Sequence, residues 1–396
     1  MNMNEQMKES EESILHTYNR FPVVFEKGQG CCLYDFEGKE YLDFAAGIAV
    51  NSLGYHYPGY DEALKDQIDK LMHISNLYYN EPIIEAGAKL VKASKMSKAF
   101  FTNSGTEAIE GALKAAKKYA YVRDGHADHE IIAMNHSFHG RSIGALSVTG
   151  TAHYREPFEP LMGGVKFADF NNLESVKAQI TDKTCAIITE VVQGEGGIYP
   201  AKKEFLEGLR QICDEKDIML IFDEIQCGMG RTGHYFAWQA YGVQPDIMTS
   251  AKALGCGVPV GAFVLNEKAA KASLEPGDHG TTYGGNPFVC AAVSKVFDIY
   301  ENDKIIEHVQ EMTPYLEQKL DEIVAKHECA ATRRGMGFMQ GIVIQGRPVG
   351  EVVKAALAKG LLVISAGSDV LRIVPPLVIT KEHIDKMAAI LDECME

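Results

Sequence analysis

Apolar and polar positions follow one pattern in the first hundred residues and another after them. Residues 23–44 alternate β-type residues with turn signals such as 37–38, which predicts a small antiparallel meander. Residues 58–72 and 82–93 place apolar side chains at helical spacing, so we expect two helices there. Residues 1–12 are polar, and we expect this terminus to be frayed.

The middle of the chain alternates short apolar runs with helical stretches. This alternation is typical of a mostly parallel sheet that carries helices on its faces. The candidate strands are residues 99–102, 131–134, 164–167, 185–189, 219–222 and 247–249. A further β-type run, residues 260–265, follows a glycine-rich stretch. We therefore expect an α/β fold for this region.

The last part of the chain is predicted to be mainly helical, with short strands between the helices. Residues 286–326 form one long helical span, which we expect to be interrupted near Asp303 and Pro314. Helical spacing returns at residues 350–358 and 381–394. This mixture indicates an α+β arrangement distinct from the middle region.

These regions predict two domains, for which 396 residues are sufficient. Residues 59–284 would form a large domain around the mostly parallel sheet. Residues 1–58 and 285–396 would together form a smaller domain from the two ends of the chain. The sequence contains no internal repeat and no low-complexity segment.

Composition and charge narrow the classes of function. A net charge of −15 at pH 7 argues against binding to nucleic acid or to an anionic membrane. We expect no signal peptide, and no apolar run is long enough to predict a span across a bilayer. The nine cysteines form no CxxC pair, which favours reduced thiols over a disulfide framework. We expect a cytoplasmic protein that acts on small molecules.

A single lysine stands among small and apolar residues in the glycine-rich segment 248–262. Desolvation disfavours the ammonium form of Lys252, and a free amine can form a Schiff base with an aldehyde. Upstream, a buried strand ends at Asp223, and open α/β sheets bind ligands outside the carboxyl ends of their strands. A carboxylate there with a lysine on a later loop is the pairing that a pyridoxal phosphate enzyme needs. On this segment alone, a surface lysine in a turn is an equal alternative.

Three further segments carry candidate chemistry, each with a plainer alternative. Residues 102–110 predict a strand, a turn and a helix start, which would bind phosphate or simply be a capped helix. Residues 135–141 offer an aromatic ring and an arginine in what is otherwise a polar loop. Their two histidines lack a third ligand, which argues against a metal site. Residues 190–197 place acidic groups at a strand end, or form a solvated turn.

Residues 228–233 spell GxGxxG after a strand, which is the best support for a dinucleotide-binding oxidoreductase. Three features argue against that class. Asp223 and Gln226 lie between the strand and the glycines, and the residues that follow begin a helix poorly. No acidic-ended strand lies at the expected distance, so a nicotinamide cofactor is disfavoured.

Taken in order, these segments resemble the class III (ornithine-type) aminotransferases of fold type I, over nearly all of residues 17–380. The segments that carry the resemblance are 104–108, 138–141, 193–197, 223–233, 250–254 and 282–287. Within the class, residues 17–23, 47–51, 75–79 and 371–380 are most similar to the acetylornithine aminotransferases. The resemblance implies a large domain with a mostly parallel sheet of the seven-stranded type, together with a smaller α+β domain.

The resemblance also implies a site for pyridoxal 5'-phosphate. Lys252 would bind the cofactor covalently and shuttle a proton, and Asp223 would pair with the pyridine nitrogen. Phe138 would stack on the ring, and Gln226 would touch the ring hydroxyl. The complete implied cofactor site comprises Gly105, Thr106, Phe138, Asp223, Glu224, Ile225, Gln226, Lys252 and Thr282.

The phosphate group would be held by Gly105 and Thr106 of one subunit and by Thr282 of its neighbour, so the resemblance implies a homodimer. One departure from the family is visible. Many relatives have alanine or valine where this chain has Thr106, whose hydroxyl would be compatible with phosphate binding.

Four residues are implied to bind substrate. Arg141 and Thr281 would hold the substrate, Arg141 by its α-carboxylate, while Arg372 and Glu195 would form a second carboxylate site and its cover. The implied reaction transfers the δ-amino group of N2-acetylornithine to 2-oxoglutarate. The alternative donors are ornithine, succinylornithine, 4-aminobutyrate and a carrier-linked lysine. A remote alternative for the function is a non-catalytic protein that binds the cofactor. No metal is implied.

Overall fold

A computed structural model describes residues 3–396 of the chain. The α-helices, in chain order, are α1 (Met3–Ser13), α2 (Ala46–Ala49), α3 (Tyr60–Lys70), α4 (Glu81–Ser94), α5 (Gly105–Asp124), α6 (Ile143–Ser147), α7 (Ala152–Arg155), α8 (Leu173–Gln179), α9 (Lys203–Lys216), α10 (Trp238–Tyr241), α11 (Glu267–Lys271), α12 (Pro287–Asn302), α13 (Ile305–Lys326), α14 (Val349–Ala358) and α15 (Lys381–Met395). The strands are β1 (Phe25–Gln29), β2 (Cys32–Asp35), β3 (Glu40–Asp43), β4 (Lys98–Thr102), β5 (Glu130–Met134), β6 (Val165–Ala168), β7 (Thr184–Glu190), β8 (Val192–Gln193), β9 (Tyr199–Pro200), β10 (Met219–Asp223), β11 (Ile247–Ser250), β12 (Gly261–Leu265), β13 (Ala330–Met336), β14 (Met339–Ile344), β15 (Leu361–Leu362), β16 (Ile364–Ala366) and β17 (Val370–Ile373).

A seven-stranded sheet in the order β4-β12-β11-β10-β7-β5-β6 forms the centre of the molecule. Strand β12 is antiparallel to both of its neighbours, and the other adjacent strands pair in parallel. The expected mostly parallel α/β sheet is therefore confirmed. Because β4, β10 and β11 run in the same direction, their carboxyl ends meet at one edge of the sheet.

Both faces of this sheet are covered, which explains why its strands are continuous apolar runs. Ile221 packs in one core with α5 residues such as Leu113, and its neighbour Leu220 packs in another core with α9 residues such as Leu209. Consecutive strand residues point to opposite faces, so each strand contributes to both cores.

Two four-stranded sheets and the two-stranded sheet β8-β9 lie outside the central one. Strand β15 pairs in parallel with β3, so the sheet β1-β2-β3-β15 joins the two ends of the chain. A second sheet, β13-β14-β17-β16, is antiparallel. This arrangement agrees with a smaller α+β unit built from both ends. Helix α12 nevertheless packs against α3 and α4, and the domain limits at 58/59 and 284/285 stay predictions.

Two expectations about helices were wrong. Helix α13 continues through Pro314. This proline is exposed, so the carbonyl that loses its partner can bind water, while Met312 and Leu316 anchor the buried face. The start of the chain is helical from Met3 to Ser13, because glutamate, glutamine, lysine and methionine favour helix. Residues 1 and 2 of the expected frayed segment lie outside the described residues.

All nine cysteines are free in the structure. From residue 3 onward, none of the helices is both long enough and apolar enough to cross a membrane.

Candidate active site

A cavity of about 510 Å³ opens at the carboxyl edge of the seven-stranded sheet. Strand β10 ends there at Asp223, and the chain that leaves β11 supplies Lys252. The sequence-predicted residues that line it are Gly105, Thr106, Phe138, Arg141, Asp223, Ile225, Gln226 and Lys252. The fold thus brings together most of the predicted cofactor site.

Lys252 follows strand β11 in a left-handed conformation with φ of +48°. Its side chain is half-buried and, within residues 3–396, forms no hydrogen bond or ion pair. The pKa of Lys252 is lowered to about 8. Burial is the main cause; the charge of Glu195 opposes the shift, and the charge of Arg372 contributes to it. The amine is therefore available in its neutral form near neutral pH.

Three donors hold the buried carboxylate of Asp223. His139 Nδ1 lies 2.7 Å from Oδ2, while Thr249 Oγ1 and the Ile225 amide donate to Oδ1 over 3.1 and 3.0 Å. These bonds fix the orientation of the carboxylate at the cavity. The sequence had placed His139 in a polar loop without a role. Its position after a strand end, like that of Asp223, is the signal that could have identified it.

The amino end of α5 faces the same cavity. Ser104 caps this helix by accepting the Glu107 amide over 3.3 Å, and Gly105 and Thr106 line the cavity. The first amides of a helix and its dipole favour an anion here. A Cβ at Gly105 would lie 3.0 Å from the Ile225 side chain, so a larger residue here would require Ile225 to shift. The Thr106 hydroxyl lies 2.7 Å from that of Ser142, which orients it.

A second buried carboxyl, Glu190, links two loops of the cavity wall. It accepts the Phe138 amide over 3.2 Å and the Gly194 amide over 3.1 Å. The pKa of Glu190 is raised to about 7. Burial is the main cause; the charge of His139 opposes the rise, and the charge of Asp223 contributes to it. Sequence reasoning singled out the acidic groups at this strand end but assigned no specific role to Glu190, which ends strand β7 at the ligand-binding edge of the sheet.

Glu195 and Arg372 form an ion pair next to Gln226. The Glu195 Oε1 and Arg372 Nη1 atoms lie 2.5 Å apart, and Nη1 also donates to the Gln226 side-chain oxygen over 3.0 Å. Nη2 donates to the carbonyl of Ser365 over 3.1 Å. Burial raises the pKa of Glu195, but the Arg372 charge and hydrogen bonds outweigh it and hold the pKa below its usual range. The predicted pair thus joins the turn between β8 and β9 to strand β17.

The remaining predicted residues differ in their placement. Glu224 lies outside the cavity lining, because its carboxylate accepts the amides of Ala237 and Trp238, each over 2.8 Å. Thr281 accepts a hydrogen bond from the cavity residue Asn103 over 3.3 Å. Thr282 is exposed and does not line the cavity of its own chain.

The GxGxxG segment, residues 228–233, lies outside the cavity lining. Its Arg231 is fully buried and donates to the carbonyls of Phe338 and Pro375. This segment therefore joins the large sheet region to the C-terminal part of the chain. The geometry gives no support to the dinucleotide alternative.

The family model described as aminotransferase class III matches residues 14–395. The chain is 47% identical to the acetylornithine aminotransferase of Clostridium acetobutylicum, over 98% of this chain and 100% of the relative. It is 48% identical to that of Methanocaldococcus jannaschii, over 96% and 95%. It is also 44% identical to the succinylornithine transaminase of Yersinia pseudotuberculosis, over 94% and 92%.

Solved structures share the same fold. The ornithine aminotransferase of Toxoplasma gondii, described with partial occupancy of pyridoxal phosphate at its active site, superposes with a TM-score of 0.95 at 28% identity. That match covers 100% of this chain and 94% of the other. The N-acetylornithine aminotransferase of Stenotrophomonas maltophilia K279a superposes with a TM-score of 0.84 at 35% identity, covering 98% of each chain. With a family match over nearly its whole length and close full-length relatives, the chain belongs to the class III aminotransferases.

Proposed function

We propose that the protein uses pyridoxal 5'-phosphate to transfer the δ-amino group of N2-acetyl-L-ornithine to 2-oxoglutarate, giving N-acetylglutamate 5-semialdehyde and L-glutamate. One observation carries the chemistry: Lys252, with its lowered pKa, and the fixed carboxylate of Asp223 share one cavity. The relatives at 47% and 48% identity support acetylornithine as the donor and a role in arginine biosynthesis.

The cavity fits this cofactor at each chemical group. The amino end of α5 suits the phosphate, and Asp223 suits a protonated pyridine nitrogen. Phe138 and Ile225 offer apolar surfaces for the ring, and Gln226 offers an amide for its hydroxyl. Lys252 supplies the amine for the aldehyde. When bound, the cofactor supplies an electron sink that stabilises negative charge on the substrate carbon.

The residues of the chain divide the remaining tasks. Lys252 Nζ takes the proton from the substrate carbon that bears the amino group, for which a base of lowered pKa is suited. Arg141 binds the α-carboxylate of the donor. Glu195 neutralises Arg372 while the donor is bound and releases it when 2-oxoglutarate brings its own carboxylate.

The protein surface supports a homodimer. The consecutive residues Leu77, Tyr78 and Tyr79 are 88%, 65% and 95% exposed, which is unusual for a run of large apolar side chains. Asn76 of the same segment donates to the Gly284 carbonyl over 2.8 Å, so this apolar surface lies beside Thr282. A second copy that covers it would bring Thr282 towards the phosphate site of its neighbour. Sedimentation should give a dimer, and a monomeric protein with full activity would contradict the proposal.

Succinylornithine is the second candidate donor, because a succinylornithine transaminase matches at 44% identity. A panel of N2-acetylornithine, N2-succinylornithine, ornithine and 4-aminobutyrate, each with 2-oxoglutarate, tests the assignment. We expect the highest kcat/KM for N2-acetylornithine. A higher kcat/KM for another donor would make that donor the substrate in place of N2-acetylornithine. The absence of turnover with every donor would overturn the proposed function. The free cysteines agree with the cytoplasm as the site of action.

A further inference from the structure

The guanidinium of Arg141, which is proposed to hold a substrate carboxylate, lies against two aromatic rings. Its central carbon is 4.0 Å from the centre of the Tyr154 ring and 5.4 Å from that of Phe138. The two rings meet edge to face, with centroids 5.8 Å apart and an interplanar angle of 81°. Arg141 is exposed and lines the cavity, whereas Tyr154, in α7, is half-buried and lies outside the lining.

This arrangement leaves the polar edge of the guanidinium free. Within the described part of the chain, Arg141 forms no hydrogen bond and no ion pair. A guanidinium presents its N–H donors in its own plane, so a ring that contacts its face occupies none of them. The aromatic contact therefore restricts the side chain while its donors stay available for a bidentate carboxylate.

We propose that Tyr154 is a positioning residue that sets the selectivity of this site for donors that carry a carboxylate. It acts through Arg141, by holding the guanidinium at the cavity rim with its donors free, and does not itself contact the substrate. The inference rests on the function proposed above. The aromatic face is the feature required, so the phenolic hydroxyl of Tyr154 is dispensable.

A purely structural role for Tyr154 makes a different prediction. If the Tyr154 ring only supported Phe138, its loss would displace the Phe138 ring that lines the cavity. The reaction would then slow equally with every donor. If it positions Arg141, only donors with a carboxylate are affected. N2-acetylornithine and N-acetylputrescine, which is the same amine without the carboxylate, separate the two cases.

The test compares Tyr154→Leu with Tyr154→Phe in the cofactor-loaded enzyme. We expect Tyr154→Leu to raise KM for N2-acetylornithine about two- to five-fold, the effect of losing one exposed cation–π contact, with little change in kcat. Its kcat/KM for N-acetylputrescine should match the wild type, and Tyr154→Phe should match the wild type with both donors. Phe167→Leu is a matched control, because it removes the ring that Arg155 contacts at 4.1 Å, away from the cavity.

A double-mutant cycle shows whether the effect passes through Arg141. In an Arg141→Gln background, Tyr154→Leu should cause no further loss with N2-acetylornithine. Equal losses with both donors, or the same loss in that background, would overturn the inference. A wild-type enzyme that turns over neither donor would overturn the proposed function, and the inference with it. If Tyr154→Leu does not fold, Tyr154→Met fills a similar volume without a ring and serves the same comparison.

Discussion

Arg372 and Glu195 form a two-point ion pair in which Nη1–Oε1 is 2.5 Å and Nη2–Oε2 is 3.3 Å. The Arg372 side chain is only 3% exposed while it is paired with Glu195. A guanidinium can bind this glutamate or a substrate carboxylate in the same bidentate way. Both residues lie outside the cavity lining, but Arg372 contacts the lining residue Gln226, so the pair determines whether this side of the cavity has a free positive charge next to it.

Replacing Glu195 with alanine should change the two half-reactions in opposite directions. An unpaired Arg372 attracts any carboxylate, so we expect glutamate to react faster and N2-acetylornithine to lose its advantage, by about ten-fold or more in relative kcat/KM. Single-turnover absorbance of the cofactor measures each half-reaction separately. Glu204→Ala, on the exposed start of α9, is the control. Equal slowing of both half-reactions would indicate a structural role for Glu195.

Lys252→Ala should abolish transamination, with a loss of about 10³-fold or more, because it removes both the covalent anchor and the base. The phosphate site at α5 is unchanged, so the variant should still bind pyridoxal phosphate non-covalently. Equilibrium dialysis and the steady-state rate measure the two properties. Lys271→Ala, an exposed lysine of α11, should be fully active. Near-normal turnover of Lys252→Ala would show that the assignment is wrong.

Covalent attachment of the cofactor to Lys252 should depend on pH with a midpoint near 8. Burial lowers the pKa of this lysine from 10.5 to about 8, so the neutral amine becomes the major form above that pH. Glu195 raises the pKa, and Glu195→Gln should therefore move the midpoint to lower pH. Borohydride trapping of the cofactor-free protein with pyridoxal phosphate, followed by mass spectrometry, gives the profile. A midpoint close to 10.5 would contradict the buried environment.

Asp223→Asn should reduce turnover by about 10²–10³-fold while leaving the fold intact, since a neutral amide cannot keep the pyridine nitrogen protonated. His139 and Thr249 still provide hydrogen-bond partners for the amide. Turnover and thermal unfolding of the loaded enzyme are the measurements. Asp214→Asn, which changes an exposed carboxylate of α9, is the matched control. An unchanged rate with bound cofactor would remove this role from Asp223.

Glu224→Ala should lower the free energy of unfolding of the protein rather than its affinity for the cofactor. The variant leaves the buried amides of Ala237 and Trp238 without their acceptor, which costs about 1–3 kcal/mol for each group. Glu224→Gln retains an acceptor oxygen and should lose less. Urea unfolding gives the free energy, and cofactor titration gives the affinity. A loss of cofactor affinity at unchanged stability would place Glu224 in the binding site after all.

The order of secondary-structure elements could be predicted from local patterns alone. Short apolar runs between helical stretches indicated the mostly parallel sheet, because strands buried on both faces need continuous apolar sequence. The proximity of Asp223 and Lys252 was also predictable, since adjacent parallel strands end at the same edge. The resemblance to known aminotransferases then supplied the roles of distant residues such as Arg372.

Side-chain direction and long-range contacts required the tertiary structure. Asp223 and Glu224 are adjacent, yet one enters the cavity and the other caps the turn at Ala237, because neighbouring residues at a strand end point in opposite directions. The contact of Tyr154 with Arg141 likewise depends on how α7 folds back on the loop before it. Residue spacing carries no information about such contacts, which depend on packing between separate segments.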